Sequence, residues 1–425
     1  MYDKITIRKD FLPKYLLWFE IMYICVVQNL IWIGFKTTIT IICDIVNCFL
    51  ILFLIKYFRR VKVSYQVNKI FYSCYGMFFV VGTFSAMVNG LVPVLWVWSI
   101  RNFGRFFIVF VSATVFFSLD DYYLFKKLLF LLSHLNFILC LFQFGVIGNK
   151  GDYIGGLFGI QAGVANTWMN TFLVIVAVVY ISEWLCGKEK MWKVMMVLSE
   201  GLSIAVIAEL KFYFIELAIV ILWTIVVVKK TNLVLKRIMG VTCFSLVALL
   251  ITIPILYSMF PTFNDFFNIR KIIEIAGKSY TGTGDLSRTK AIVEIIDKLF
   301  DKDVLKSVIG VGLGNGEYST NNEIFQSSFF KTYQAYRYHW FTDAFVMVET
   351  GLIGVGLYGL SFIALLFKAM KKYKAGKLNK GCHLNVILLA PLSLLLCIYN
   401  ISLNTEITYI LYIALAFGCL YKESK

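Results

Sequence analysis

Apolar runs of roughly 18 to 25 residues, joined by short basic connectors, fill most of this chain and constrain its fold more than any other feature. In hydrocarbon every backbone N–H and C=O must be satisfied internally, so a spanning run is a helix or part of a closed barrel. The ten-residue alternating segments of a barrel are absent from the sequence. The chain therefore reads as an all-α polytopic membrane protein. Its balance agrees: 60% of 425 residues are hydrophobic and 16% charged, with a mean hydropathy of +0.78.

About twelve spans are predicted, near 15–35, 37–58, 70–89, 91–119, 127–148, 157–182, 193–209, 212–228, 238–258, 343–367, 384–401 and 406–421. The first reads as a signal anchor, too long and too poorly flanked for a cleaved leader. No soluble domain is expected before or after the bundle, and no repeat suggests an inverted-repeat transporter. The organisation is an N-terminal bundle over 1–258 with about nine helices, a large hydrophilic loop over 259–342, and about three helices over 343–425.

Basic residues set the expected orientation. With Met1 inside, the inner segments collect Lys4, Arg8, Lys9 and Lys14, the cluster from Lys56 to Lys69, Lys126, Lys127, Lys188, Lys190, Lys193, Lys229, Lys230, Lys236 and Arg237. The run from Lys368 to Lys380 and the tail Lys422 and Lys425 complete the inner set. The short outer connectors hold only Lys36, Lys150 and Lys211, so both termini are expected in the cytoplasm and the 259–342 loop outside. The net charge of +16 follows from inner loops that face anionic membrane lipids. Nucleic acid is a poor partner for such a chain, because no basic patch accompanies a soluble fold. No cysteine lies in the long loop, which excludes a disulfide framework there, and no CxxC is present.

Charges within or beside the spans are the candidate site residues, since each is costly unless paired or wet. Arg101 and Arg105 share one helix face at i and i+4. They either pair with Asp44 and Glu20 or line a path for an anionic headgroup. In IAELKFYFIEL, Glu209 and Lys211 occupy a turn between two spans, either as a hairpin cap or to present Lys211 to a phosphate. The loop segment SYTGTGDLSRTKAIVEIIDKLFDKD predicts a turn followed by a helix with the apolar stripe Ile292, Ile295, Ile296 and Leu299. Asp285 or Ser287 would cap it and Arg288 would stand in its first turn, where dipole and guanidinium both favour an anion. The glycines of SVIGVGLGNGEY, Gly312 and Gly314 among them, permit close ligand approach or merely tight turns. Arg337, Tyr338, His339 and Asp343 mark the re-entry into the membrane, ahead of Glu349 in the run ETGLIG. They suit a site for sugars and phosphates, or else an aromatic belt with a snorkelling Arg. The three histidines, at 134, 339 and 383, are scattered, and no metal site is expected.

Four of these pieces come in a familiar order: ELKF at 209–212, Arg288 opening the loop helix, GVGLGNG at 310–316 and ETGLIG at 349–354. With about twelve spans and one long external loop, the chain resembles the bacterial O-antigen polymerase and O-antigen ligase superfamily. The resemblance implies a GT-C-like glycosyltransferase bundle in the bacterial cytoplasmic membrane, acting at the outer face on undecaprenyl-pyrophosphate-linked oligosaccharide. It implies no cofactor, and it adds a chain-length regulator as a candidate partner. The product would be an O-antigen, capsular or exopolysaccharide chain. Ligases of this kind carry a His-Asn pair eleven residues before the Gly of ETGLIG. Here His339 stands twelve before Gly351 and is followed by Trp340, which favours a polymerase and makes Asp343 a rival of His339. In the implied reaction an acceptor hydroxyl attacks the anomeric carbon and the lipid pyrophosphate leaves. Arg288, Lys211, Arg105 and Arg337 are the candidate stabilisers of its charge, and His339, Asp343 or Glu349 the candidate base. The alternatives are transfer of finished glycan to another acceptor, or a flippase for the same lipid.

Overall fold

The computed structural model describes residues 11–228, 232–259, 274, 277–279, 282–319, 322–376 and 379–420. Lys4, Arg8, Lys9, Lys229, Lys230, Lys377, Lys422 and Lys425 lie outside these residues, as does most of the loop's first third. The described chain is helical, with no strand among the described residues. In order, the helices are α1 (Phe11–Trp32), α2 (Ile41–Lys56), α3 (Phe58–Val67), α4 (Lys69–Val88), α5 (Pro93–Phe116), α6 (Leu119–Gly145), α7 (Asn170–Leu185), α8 (Met191–Ile207), α9 (Lys211–Val227) and α10 (Asn232–Met259). The loop contributes the short α11 (Ala291–Lys298), α12 (Val304–Ile309) and α13 (Ser328–Tyr333). Then come α14 (Thr342–Lys374), α15 (Lys380–Tyr399) and α16 (Thr408–Ala416).

Among the described residues nine helical segments are long and apolar enough to cross a bilayer, so this is a multi-pass membrane protein. Helices α8, α9 and α16 fall short of that length but coincide with three of the expected spans. Two boundaries differ most from expectation. Helix α6 starts at Leu119 rather than near 127, because Ser118 and Asp121 form a capping box there. The span expected from 157 begins later: residues 151–163 form 3-10 turns in which Gly151, Gly156, Gly159 and Gly163 hold positive φ.

Burial separates an inner set of helices from an outer ring. Every residue of α7 and α16 is buried, whereas α2 and α6 turn Ile45, Phe49, Leu52, Leu131 and Ile138 outward. Such one-sided apolar exposure suits helices whose outer solvent is lipid.

The described part of the long loop sits on one end of the bundle and is fastened by an interlock of backbones. Helix α14 breaks at Gly351 (φ 63, ψ −167). The break releases the carbonyls of Val348 and Glu349 from helical bonding, and they accept from the N–H groups of Val311 (2.8 Å) and Gly312 (3.0 Å). Leu313 donates to Gly82 O (3.0 Å), and Ser85 Oγ donates to Gly310 O (2.9 Å), which ties the same run to α4. A Cβ at Gly312 would stand 2.2 Å from Ala86 Cα, and one at Gly314 would stand 2.5 Å from the Leu95 carbonyl carbon. Gly312 and Gly314 thus give close approach to backbone.

Candidate functional site

At the end that carries the loop, a cavity of about 520 Å3 opens between Gln28 of α1, the 151–169 turns, the loop residues Arg288, Trp340 and Phe341, and the α15–α16 connection. Its walls combine aromatic faces (Trp168, Trp340, Tyr399), amides (Gln28, Gln161, Asn166, Asn400), one carboxylate (Asp152) and one guanidinium (Arg288). Rings with amide donors and acceptors suit sugars, and a cation suits a phosphate.

Three chain segments assemble the charged rim. Helix α8 ends in a turn in which Leu210 N–H bonds Ala205 O (2.8 Å) and Glu209 takes a left-handed φ of 55°. A left-handed non-glycine residue costs on the order of 1–3 kcal/mol, a conformation found preferentially at functional positions. Lys211 Nζ pairs with Glu209 Oε1 at 2.9 Å. The guanidinium of Arg288 lies 4.4 Å above the ring of Tyr399, which also stacks on Phe212 at 3.8 Å. Asp152 bonds the Asn166 amide, and Asn166 in turn accepts from Tyr399 Oη (3.1 Å) and from Asn400 Nδ2 through its carbonyl (2.7 Å). Burial and then the Glu209 charge raise the Asp152 carboxyl above its usual range, while Arg288 and Lys211 pull it down. The charges at 209, 211 and 288 therefore all act on the Asp152 carboxyl at the cavity rim.

The helix after Arg288 differs from expectation. Helix α11 begins at Ala291 with Lys290 as N-cap, so Arg288 precedes it rather than standing in its first turn. Ser287 Oγ bonds Glu294 Oε1 (2.8 Å) instead of capping, and Asp285 bonds Ser279. The apolar stripe does pack inward, with Ile295 and Leu299 buried.

The other sequence candidates lie in different settings. Arg101 makes two bonds to Asp44, at 2.9 and 2.6 Å, and its guanidinium stacks on Trp98. Arg105 is buried, with Glu406 at 3.0 Å and the Asn404 carbonyl at 2.9 Å, so its acidic partner is Glu406 and not Glu20. Glu349, fully buried, spends its carboxylate on the loop: Oε1 accepts from Gly316 N–H (2.8 Å) and Oε2 from Gly314 N–H (2.7 Å) and Ser99 Oγ (2.6 Å). Tyr338 Oη closes the same knot on Gly316 O at 2.7 Å. Glu317 sits against it, bonded to Asn102 Nδ2 (2.8 Å), and burial together with the Glu349 charge raises its carboxyl well above the usual range.

Arg337, left-handed at φ 54°, lays its guanidinium 4.3 Å above Trp340, itself a wall of the cavity. His339 is packed among rings, 4.7 Å from Tyr318 and 5.2 Å from Phe330, and burial with the Arg337 charge lowers it to about 4. Asp343 lines a separate cavity of about 260 Å3 beside Thr289, Ile292 and Val346. The structure thus brings together Arg288, Lys211 and Glu209, with Arg337 adjacent through Trp340. Arg101, Arg105, Glu349, Tyr338, Gly312 and Gly314 belong to the packing.

Asp152, Asn166, Tyr399 and Asn400 are missing from the sequence-based candidates. The available signal was the run GDYIGGLFGIQAG at 151–163, whose glycine density marks a turn rather than a span. Tyr399 and Asn400 carried no signal beyond ending an apolar run.

No family model matches the chain, and no curated protein matches it.

Proposed function

We propose that this protein is an integral-membrane glycosyltransferase that polymerises oligosaccharide repeat units carried on undecaprenyl pyrophosphate. The observation that carries the reading is an aromatic- and amide-lined cavity at the bundle's loop end that Asp152 and Arg288 line, with the Lys211–Glu209 pair near enough to act on the Asp152 carboxyl. Cations held beside stacking rings are what a sugar with a phosphate leaving group requires. The short motifs that resemble those of the O-antigen polymerase and ligase superfamily favour the same reading, as do the nine helices among the described residues that are long and apolar enough to cross a bilayer.

In this reaction a hydroxyl of the acceptor repeat attacks the anomeric carbon of the donor. The new glycosidic C–O bond forms as the bond from that carbon to the pyrophosphate breaks. Asp152, the carboxylate among the cavity's lining residues, takes the hydroxyl proton. Arg288 and Lys211 stabilise the departing lipid pyrophosphate, and Arg337 holds Trp340 as a stacking wall for sugar. Asp152→Asn at normal protein level is expected to slow polymerisation by about 10²–10⁴-fold, the usual worth of a general base. An unchanged rate returns that role to Asp343 or His339.

The deciding experiment supplies purified undecaprenyl-pyrophosphate repeat units to the reconstituted protein. A ladder of lengths supports the polymerase; a single product on a different acceptor means ligase-type transfer, and unaltered sugar removes the reading. The orientation that goes with it puts both termini in the cytoplasm and the loop outside. In a cysteine-free background an impermeant thiol reagent then modifies a cysteine at 322 and spares one at 375, and the reverse pattern refutes that orientation.

A further inference from the structure

We propose a second ligand site, for an anionic phospholipid, in the groove between the start of α4 and the second half of α14. The groove lies at the end of the bundle opposite the loop. That end is defined by Lys14 on Asp121 (2.5 Å), by Lys126 between Glu183 and Glu189, and by Asn68 bonding Cys419 O (3.3 Å). The cavity measures about 820 Å3, within the size range of ligand pockets.

Its walls divide by chemistry along the helices. Toward the bundle's middle they are apolar, with Phe71, Ile363 and Ala364, and Leu360 and Phe367 are exposed beside them. At its basic end they carry four ammonium groups, Lys69, Lys368, Lys371 and Lys372, and the lining residues include no carboxylate. Lys368, Lys371 and Lys372 recur at i, i+3 and i+4, so helix geometry holds them on one face of α14. Lys368 bonds the Asn68 side chain across the groove, which fixes its direction. The preceding amphipathic helix α3 carries Arg59 and Arg60, and its last residues, Gln66 and Val67, complete the wall.

A phospholipid with a net negative headgroup matches both halves, its acyl chain along the apolar wall and its phosphate among the lysines. A zwitterionic lipid gains only the apolar half, and a free phosphate only the charged half. Each lysine near a lipid surface contributes roughly a fivefold preference for the anionic species. The site is independent of the proposed glycan chemistry, and its test needs no sugar substrate.

Delipidated full-length protein in detergent is titrated with phosphatidylglycerol and with phosphatidylcholine, and bound lipid is counted by native mass spectrometry. The wild type is expected to prefer phosphatidylglycerol by on the order of tenfold or more. Lys371→Gln with Lys372→Gln should erase most of that preference while leaving phosphatidylcholine binding alone. Ala364→Phe, which fills the apolar wall without touching charge, should weaken phosphatidylglycerol binding with the lysines intact. Equal binding of the two lipids by the wild type, or an undiminished preference in the double variant, overturns the proposal. So does displacement of phosphatidylglycerol by millimolar inorganic phosphate, which would make this a free-anion site.

Discussion

Two sets of charged residues stand in contrast within this bundle. Arg105 is buried between helices against Glu406 and the Asn404 carbonyl, and the half-buried Arg101 is held by two bonds to Asp44. Arg288, half-buried, lines a cavity among a carboxylate, amides and rings that leave space for a ligand, and the Lys211–Glu209 pair lies near the same carboxylate. In sequence the four look alike, each a cation beside an apolar run. An enclosed charge contributes to the bundle only through its partner, and removing that partner strands the other ion in low dielectric. A charge on a cavity wall keeps a face for something that is not protein.

The largest effect that sharpens this contrast is on stability. Arg105→Ala leaves the half-buried Glu406 without its cation and empties a buried site, and is expected to cost about 3 kcal/mol. Folded protein in the membrane should fall sharply, measured by thermal unfolding in detergent. Replacing Arg105 and Glu406 together by leucine should recover much of the loss. If Arg105→Ala is as stable as wild type and fails only in polymer synthesis, the two sets are not different in kind.

Next is the mirror image at the cavity. Arg288→Ala should leave thermal stability nearly unchanged while reducing polymer about 10²–10³-fold, the worth of one preorganised donor to a developing charge. Arg288→Lys should fail as well, because an ammonium lacks the planar fork that binds phosphate through two bonds and stacks on Tyr399. Wild-type ladders from Arg288→Ala and Lys211→Ala alike would dissolve the site.

The smallest effect is a pH dependence in the loop. Burial lowers His339 to about 4, below the ordinary imidazole value near 6.5. Between those values the unfolded chain binds the proton and the folded one does not. Stability from this group is therefore complete above pH 6.5 and is lost as pH falls toward 4, about 2 kcal/mol at pH 5. Glu317, raised by burial and by Glu349, has the opposite sign: its contribution is present at low pH and declines as pH rises. The measurement is therefore a difference. His339→Phe should remove the acid loss seen by proteolysis of the 322–341 segment while retaining the ring contacts with Tyr318 and Phe330. Identical acid sensitivity in both proteins would show that the imidazole is not held neutral by its surroundings.

The legible part of the site was its cations. Lys211 was visible because a charge in a two-residue connector between apolar runs has nowhere to hide, and Arg288 because a Gly/Thr turn precedes an apolar stripe. Asp152 was not visible. It lies in a glycine-rich run of fair hydropathy, and its significance comes from Glu209, Arg288 and Asn166, which are near it only in space. Glu349 misled in the opposite sense. An acid in ETGLIG reads as a base, yet the break at Gly351 turns its carboxylate onto the amides of Gly314 and Gly316.

By itself the sequence determined the class of the molecule, the positions of most helices and the place of the long loop. These follow from run length, helical period and local caps, which are properties of neighbouring residues and act within one segment. The tertiary structure alone decided which charges are enclosed and which face a cavity. It also decided that the two glycine motifs form one backbone interlock, and that residues from positions 152, 166, 211, 288 and 399 share a site. A charge's role depends on the groups within a few ångströms that satisfy it, and in a bundle of long helices those groups come from distant parts of the chain.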